Sequence, residues 1–485
     1  MTVALAFSFL VSTTVGVLLL RLVWPRHASP FAPHLAVALG TGLGAGLSAV
    51  LLFAWLLAFG PTRGFPLAEA GLLGLVALGS LKRRSRTGRT MPPVRRHPRH
   101  PLVLILLAAG FLVTLTAAVA AFVATLRQHP HGEWDAWMNW DLRARMIFRG
   151  QEAWRTAFSG TFPWSHPDYP VLVPSSVVRS WLYTGTETVL GPAVVAATFT
   201  FGTVALLLTA LAALRSVSQG LLAGLILVST PFFIIHGTSL YADVPLGFFF
   251  LATFVFLALD GRYGAATGRF MVLAGVAAGL GMWTKNEGLL FTLAVGGGLL
   301  LAGRRDGWAA SRRRLTAFGA GALPLLLLVV GFKVAFAPPN DLVATLGVDR
   351  TLGRLADPDR YLLVLREYAS HIVSFGKNGL GGAVWPLLAC LAGLGVSRPE
   401  TRRGWARTGA VALVLLLAGH FMVFVSMAHE LARLLNSSLD RLLLQLWPSA
   451  LFLFFMVLRT AEEVAAGRAL PEHPARARAR TRVST

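Results

Sequence analysis

Residues 101–126 read PLVLILLAAGFLVTLTAAVAAFVATL, and this stretch of 26 residues contains no charged side chain. About 20 consecutive apolar residues are enough to cross the hydrocarbon core of a bilayer as a helix. A segment within the bilayer must satisfy its backbone hydrogen bonds internally, and a run of this length does so as a helix. Similar runs recur along the chain, so the sequence predicts an all-α, multi-spanning integral membrane protein.

The composition agrees with this class. Of the 485 residues, 55% are hydrophobic and only 14% are charged, with a mean hydropathy of +0.63. A soluble protein of this size needs a more polar surface. The single cysteine, Cys390, excludes an intrachain disulfide and a cysteine zinc site, and the sequence contains neither a Walker phosphate loop nor an H-E-x-x-H motif.

We predict about thirteen spans from the apolar runs. They cover residues 2–23, 34–59, 65–81, 101–126, 191–214, 219–236, 243–260, 270–286, 287–303, 315–337, 379–397, 408–428 and 446–459. Two further segments, 368–375 and 431–445, are predicted to be helices that lie at the membrane surface.

The net charge of +22 is concentrated in four short segments between or after the apolar runs. Residues 82–100, 304–314, 398–407 and 459–485 together hold 23 basic and five acidic residues. Segments 127–190 and 338–377, in contrast, balance six Arg against six acids and five basic residues against five acids. The positive-inside rule places the four basic segments in the cytoplasm, so the charge reflects topology rather than nucleic-acid binding.

This topology puts the N-terminus outside, the C-terminus in the cytoplasm, and the protein in the plasma membrane. Four parts are predicted: additional spans in 1–81, a basic cytoplasmic loop in 82–100, a core in 101–460, and a basic, disordered tail in 461–485. The core contains a long outer loop, 127–190, which is rich in Trp and is expected to be ordered.

Charged residues cluster where segments meet the outer face. The loop contains HGEWDAWMNWDLRARMIFRG (131–150) and SHPDYP (165–170), and later segments contain SLYADVP (239–245), WTKNEG (283–288) and SSLDRLLLQLWP (437–448). Ionisable groups at membrane depth are costly and usually face a bundle interior or a wet cavity. The candidate site residues are Glu133, Asp135, Arg143, Arg145, His166, Asp168, Asp243, Lys285, Glu287 and Arg441.

Structural explanations compete for several of these residues. Lys285 and Glu287 could be an ion pair that closes a helical hairpin, and Asp243 could cap a helix with Pro245 in its first turn. His166 could stabilise a turn beside Pro167. The Trp residues of 131–150 could form an interfacial aromatic belt, and its Arg residues the solvated face of an interfacial helix. For Asp135 this kind of explanation is weakest, because a carboxylate flanked by Trp is a poor surface anchor.

These motifs, in this order, resemble the GT-C superfamily of integral-membrane glycosyltransferases, which includes the protein O-mannosyltransferases and the bacterial aminoarabinose transferases of lipid A. The resemblance covers about residues 103–458. It implies a GT-C-like helical bundle and inverting transfer of a sugar from a polyprenyl-phosphate donor to an extracytoplasmic acceptor, which is a glycan, a lipid or a protein. The membrane lipid is the other expected partner, and nucleic acid is not expected.

The resemblance also implies roles. Asp135 would be the general base, and Asp243 would orient the acceptor or help to bind a metal. Lys285 and Arg441 would hold the lipid phosphate, with Arg143 and Arg145 as alternatives. His166 and Asp168 would close the loop over the sugar. Together with His166, the acids Glu133, Asp135 and Asp243 are candidate ligands of a divalent cation. Members of the superfamily differ in whether they require such a cation.

The chain departs from the superfamily in two respects. Three apolar segments precede the span that resembles the superfamily's first, and no large soluble C-terminal domain is present, which favours a glycan or lipid acceptor. Two other functions fit the composition. A transporter or flippase of a lipid-linked sugar would place charges near the midplane within inverted repeats. A polymerase or ligase of lipid-linked glycans would use an outer Arg/His set.

Overall fold

The computed structural model describes residues 1–24, 32–83, 101–264, 268–303, 307–339, 348–376, 382–428 and 430–468, apart from a few side chains. This part of the chain is a bundle of helices without strands. The first ten helices are α1 (Thr2–Val23), α2 (Ala32–Phe59), α3 (Phe65–Arg83), α4 (Pro101–Gln128), α5 (Asp141–Gly150), α6 (Leu172–Thr184), α7 (Leu190–Leu214), α8 (Val217–Val228), α9 (Pro231–Thr238) and α10 (Asp243–Leu259).

The second half of the described chain contains ten further helices. These are α11 (Arg269–Thr284), α12 (Glu287–Gly303), α13 (Trp308–Ala335), α14 (Val348–Leu355), α15 (Pro358–Ser374), α16 (Val384–Leu394), α17 (Arg398–Thr401), α18 (Gly404–Ser426), α19 (Leu431–Val457) and α20 (Ala461–Arg468). Most of the predicted basic loop, residues 84–100, and of the predicted tail, residues 469–485, lies outside the described residues.

Nine of the described helices are long and apolar enough to cross a membrane, which makes this a helical, multi-pass membrane protein. They are α1, α2, α3, α4, α7, α10, α13, α18 and α19. The other four predicted spans correspond to the pair α8–α9 and to the shorter helices α11, α12 and α16. The total of thirteen therefore stays a prediction.

Two predicted spans have a different form from the one expected. Residues 219–236 do not form one straight helix, because α8 and α9 meet at a bend of 64°. Pro231 begins α9; a proline lacks the N–H that a continuous helix needs and disfavours helical geometry in the residue before it. The predicted surface helix 431–445 and the last predicted span are one continuous helix, α19.

The centre of the bundle is α10, in which every residue is buried. It packs against α7, α11 and α19, and five of its residues are phenylalanines (248–250, 254 and 256). By contrast, α4 is almost entirely exposed along its length, as expected for a helix that faces lipid.

The three N-terminal helices belong to the same hydrophobic core as the rest of the bundle. Helices α1 and α2 touch backbone to backbone, since a Cβ atom at Gly44 would overlap the carbonyl oxygen of Ser12. Helix α3 contributes the buried Glu69, which accepts hydrogen bonds from Arg179 of α6 at 2.9 and 3.0 Å and from Tyr183 at 2.7 Å. A buried ion pair thus joins the N-terminal helices to the long loop.

Candidate functional site

The five motifs meet at one end of the bundle. Helix α4 ends there, α10 begins there, α11 ends and α12 begins there, and the first half of α19 passes beside them. Antiparallel helices bring these ends together, so residues that are far apart in the sequence become neighbours. We call this end of the bundle the site end.

Asp243 is the centre of the site. Asp243 is the first residue of α10, and its side chain is 0% exposed. Oδ2 accepts hydrogen bonds from Nε and Nη2 of Arg441 at 3.1 and 2.8 Å. Oδ1 accepts hydrogen bonds from Lys285 Nζ at 3.1 Å and from Gln445 Nε2 at 2.6 Å. Four side-chain donors therefore hold this carboxylate, and its side chain makes no capping hydrogen bond at the start of α10.

Arg441 joins Asp243 to the long loop. Its Nη2 also donates a hydrogen bond to Asp135 Oδ2 at 2.7 Å, and its guanidinium lies 4.7 Å from the ring centre of Tyr241. The Asp135 side chain is 27% exposed, so it is the carboxylate of the pair that a second molecule can reach. Asp135 and Asp243 thus share one cation.

Lys285 lies between two acids. Its Nζ is 2.7 Å from Glu287 Oε1 as well as 3.1 Å from Asp243 Oδ1. The ion pair across the α11–α12 turn therefore exists as the structural explanation expected, and Lys285 makes a second contact, with Asp243 in the site. We call Asp135, Asp243, Lys285, Glu287 and Arg441 the charge cluster; it contains three carboxylates and two cations.

The HPDYP segment packs against this cluster. Asp168 Oδ2 accepts hydrogen bonds from Asn286 at 2.8 Å and from Lys333 of α13 at 3.1 Å. The ring of Tyr169 stacks on His166 and on Trp140, with its centre 5.9 Å from Lys285 Nζ. Asp168 thus anchors this part of the loop to the α11–α12 turn and to α13, and His166 packs on Tyr169 within the loop.

Three predicted residues lie away from the charge cluster. The Glu133 side chain is exposed, and its Oε1 is 4.0 Å from His129. Arg143 is buried and donates a hydrogen bond from Nη1 to the carbonyl oxygen of Tyr169 at 2.6 Å. Burial lowers the pKa of Arg143 to about 10. Arg145 pairs with Glu187 at 2.7 Å. Neither arginine contacts the charge cluster, and their role as alternative phosphate ligands stays a prediction.

The candidate metal site does not form either. Within the described residues, no group of three or more His, Cys, Asp or Glu side chains is arranged to hold a metal ion. Glu133, Asp135, His166 and Asp243 are all among those residues, and both oxygens of Asp243 are engaged by nitrogen donors.

The long loop forms helical segments and contains a second group of charged residues. A π-helical turn (Ala136–Trp140) leads into α5, where Asp141 is 1% exposed and its Oδ2 makes no hydrogen bond to any described residue. Burial raises the pKa of Asp141 to about 7. Glu187 accepts hydrogen bonds from Arg145 and Arg149; burial raises its pKa, but these two guanidiniums outweigh that effect and lower it.

Several residues of the site end were not predicted. Gln445 follows Arg441 by four residues, so the two share one face of α19, and this spacing was a signal in the sequence. Tyr169 and Tyr241 belong to the quoted motifs but were not singled out. Lys333 stands near the end of an apolar run, where a cation is unusual.

Comparison with known proteins gives no family assignment. No family model, no curated protein and no solved structure matches this chain. The proposed function therefore rests on the geometry of the site.

Proposed function

We propose that this protein is a membrane glycosyltransferase that transfers a sugar from a polyprenyl phosphate to an acceptor at the outer face of the plasma membrane. The observation that carries the proposal is the shared cation: Arg441 Nη2 contacts the partly exposed Asp135 at 2.7 Å and the buried Asp243 at 2.8 Å. A reachable carboxylate beside paired cations, at one end of an apolar bundle, suits a reaction between a lipid phosphate and a hydroxyl group.

In the proposed reaction, Asp135 accepts the proton of the acceptor hydroxyl group as the acceptor oxygen attacks the anomeric carbon. The bond between that carbon and the phosphate oxygen breaks, and its electron pair stays on the phosphate, which leaves as polyprenyl phosphate. Attack opposite the leaving group inverts the anomeric centre. Arg441 and Lys285 stabilise the charge that develops on the phosphate.

The charge balance of the cluster implies an order of events. Three carboxylates already surround two cations, so an anionic phosphate that approaches Arg441 is repelled unless a carboxylate moves away. Asp243 is buried and held by four donors, whereas Asp135 accepts a hydrogen bond from Arg441 and is partly exposed. We expect the donor phosphate to displace Asp135 from Arg441. The freed carboxylate can then accept a hydrogen bond from the acceptor hydroxyl group.

The donor is tested first. The protein is purified in detergent, and its bound lipids are identified by mass spectrometry for four forms: the wild type, Asp135→Asn, the double variant Lys285→Ala/Arg441→Ala, and the control Arg403→Ala. Arg403 pairs with Glu400 at the opposite end of the bundle. We expect a polyprenyl-phosphate sugar in all forms except the double variant. Arg441→Lys, checked for folding by its thermal midpoint, separates a lost phosphate contact from a misfolded chain.

The base is tested with the identified lipid. Labelled donor is added to membranes that contain each variant, and incorporation of the label into envelope material is followed. Asp135→Asn should lower transfer by about 10²-fold or more, since a general base contributes that much or more, while donor binding is retained. Full transfer by Asp135→Asn would refute the mechanism. Absence of any sugar lipid, together with movement of such a lipid across proteoliposomes, would favour a transporter instead.

A further inference from the structure

An open cavity of about 690 Å³ is lined by residues of the long loop, and none of the charge-cluster residues lines it. Its walls come from the end of α4, the π-helical turn, α5 and the connection between α6 and α7. The residues that matter for its chemistry are His129, His131, Trp137, Arg145, Arg149 and Glu187. We call this cavity the loop cavity. We propose that it binds an acidic saccharide as the acceptor, a proposal that rests on the proposed transferase function.

The charge of the residues that line the loop cavity favours an anionic ligand. Arg149 donates hydrogen bonds to Glu187 from Nε at 2.7 Å and from Nη2 at 3.0 Å, and Arg145 Nε donates one at 2.7 Å. Two guanidiniums thus face one carboxylate, which leaves one positive charge in excess. Each guanidinium has five N–H donors, and these contacts use only part of them. Arginine fixed in this way is well suited to a planar carboxylate or a phosphate.

The aromatic surface at the loop cavity favours a sugar ring. Trp134 and Trp137 are both exposed, and their rings pack edge to face with centres 4.9 Å apart. A tryptophan ring offers a broad apolar face beside a polar edge, which suits the C–H groups on one side of a sugar ring. Glu187 in the opposite wall can accept hydrogen bonds from hydroxyl groups. A ligand with both hydroxyl donors and an anionic group can use Glu187, the two guanidiniums and the tryptophan rings together, whereas the phosphate of a lipid headgroup would use the guanidiniums alone.

The position of the loop cavity favours a role in binding the acceptor. Asp135 stands in the sequence between Trp134 and Trp137, and Gly132 of the same loop also lines the cavity. Asp135 precedes Trp137 by two residues and its carboxylate contacts Arg441, so a saccharide of several units seated on Trp137 would extend along the Trp-rich turn to bring a hydroxyl group to Asp135. The loop cavity and the charge cluster share this loop, so one would hold the acceptor and the other the donor.

The test measures saccharide binding separately from transfer. Purified protein in detergent is titrated with trigalacturonic acid and, as a neutral probe of the same length, with maltotriose, and binding is followed by saturation-transfer NMR. We expect trigalacturonic acid to bind at least tenfold more tightly than maltotriose. Arg149→Gln should remove this preference, and Trp137→Ala should weaken binding of both probes. Arg155→Gln is the matched control, because Arg155 is an exposed arginine of the same loop that packs on Trp154 outside the cavity.

The outcomes separate the two proposals. Asp135→Asn should bind trigalacturonic acid as the wild type does. If the wild type binds trigalacturonic acid but transfers no labelled donor sugar, the transferase proposal fails and the acidic-saccharide site stands. If transfer occurs but the two probes bind equally or not at all, the acidic-saccharide proposal is overturned. It is also overturned if phosphatidylglycerol micelles bind in its place and lose that binding with Arg149→Gln.

Discussion

The buried carboxyl group of Asp141 makes the stability of this protein depend on pH in a direction opposite to that of most acids. The carboxyl group is 1% exposed at the start of α5, and burial raises its pKa from 3.8 to about 7. Between these two values the unfolded chain has lost the proton and the folded chain has kept it. The contribution of Asp141 to the free energy of unfolding therefore falls as the pH rises from about 4 to about 7, and is constant above that range.

The magnitude follows from the pKa difference of about three. At about 1.4 kcal/mol for each pH unit, the ionised carboxyl group destabilises the folded chain by about 4 kcal/mol at pH values above 7. Asp141→Asn keeps the shape of the side chain and removes its titration. We expect the variant to gain stability relative to the wild type as the pH rises through this window.

The assay is thermal unfolding in detergent at pH values from 4 to 8.5. The difference between the midpoints of Asp141→Asn and the wild type should widen up to about pH 7 and then level off. Asp359→Asn is the control, since Asp359 is an exposed acid in the first turn of α15. A difference that does not change with pH, or one that shrinks as the pH rises, would refute the reasoning that burial controls this group.

Two further predictions concern the N-terminal helices, both measured by thermal midpoint. Glu69→Ala leaves the buried guanidinium of Arg179 without its carboxylate and should cost about 3–5 kcal/mol. Arg403→Gln, which removes a half-exposed guanidinium from Glu400, should cost less than about 1 kcal/mol. Equal effects would contradict the first prediction. Gly44→Ala should separate α1 from α2 and cost about 1–3 kcal/mol. Gly71→Ala, where a Cβ meets nothing within 4 Å, should be neutral or stabilising, and a neutral Gly44→Ala would show that the two helices do not depend on close contact.

The helices were predictable because hydrophobicity along a single stretch is sufficient evidence for a span. The run 101–126 corresponds closely to α4, Pro101–Gln128. The break between α8 and α9 was also visible in the sequence at Pro231, but the hydrophobicity of 219–236 concealed it. The interfacial role predicted for 431–445 failed because the charged face of this segment packs on Asp135 and Asp243 inside the bundle.

The site was predictable in part. Asp135, Asp243, Lys285 and Arg441 each stood out as charges at the edge of an apolar run, and the structure brings them together. Arg143 and Arg145 were grouped although residues two apart on a helix point in different directions. Glu69 was missed because its partner Arg179 lies 110 residues away, and no local pattern indicates such a pairing.

The shared cation also has a consequence for biosynthesis. Arg441 follows Asp135 by 306 residues and Asp243 by 198, whereas Lys285 follows Asp243 by only 42. While the ribosome is still extending the chain, Asp135, Asp243 and Glu287 are thus already present with Lys285 alone to neutralise them. Helix α19 supplies the second cation of the cluster when it enters the bundle. A chain that ends before α19 therefore leaves three carboxylates with one cation, so the site end assembles only after the last long helix is in place.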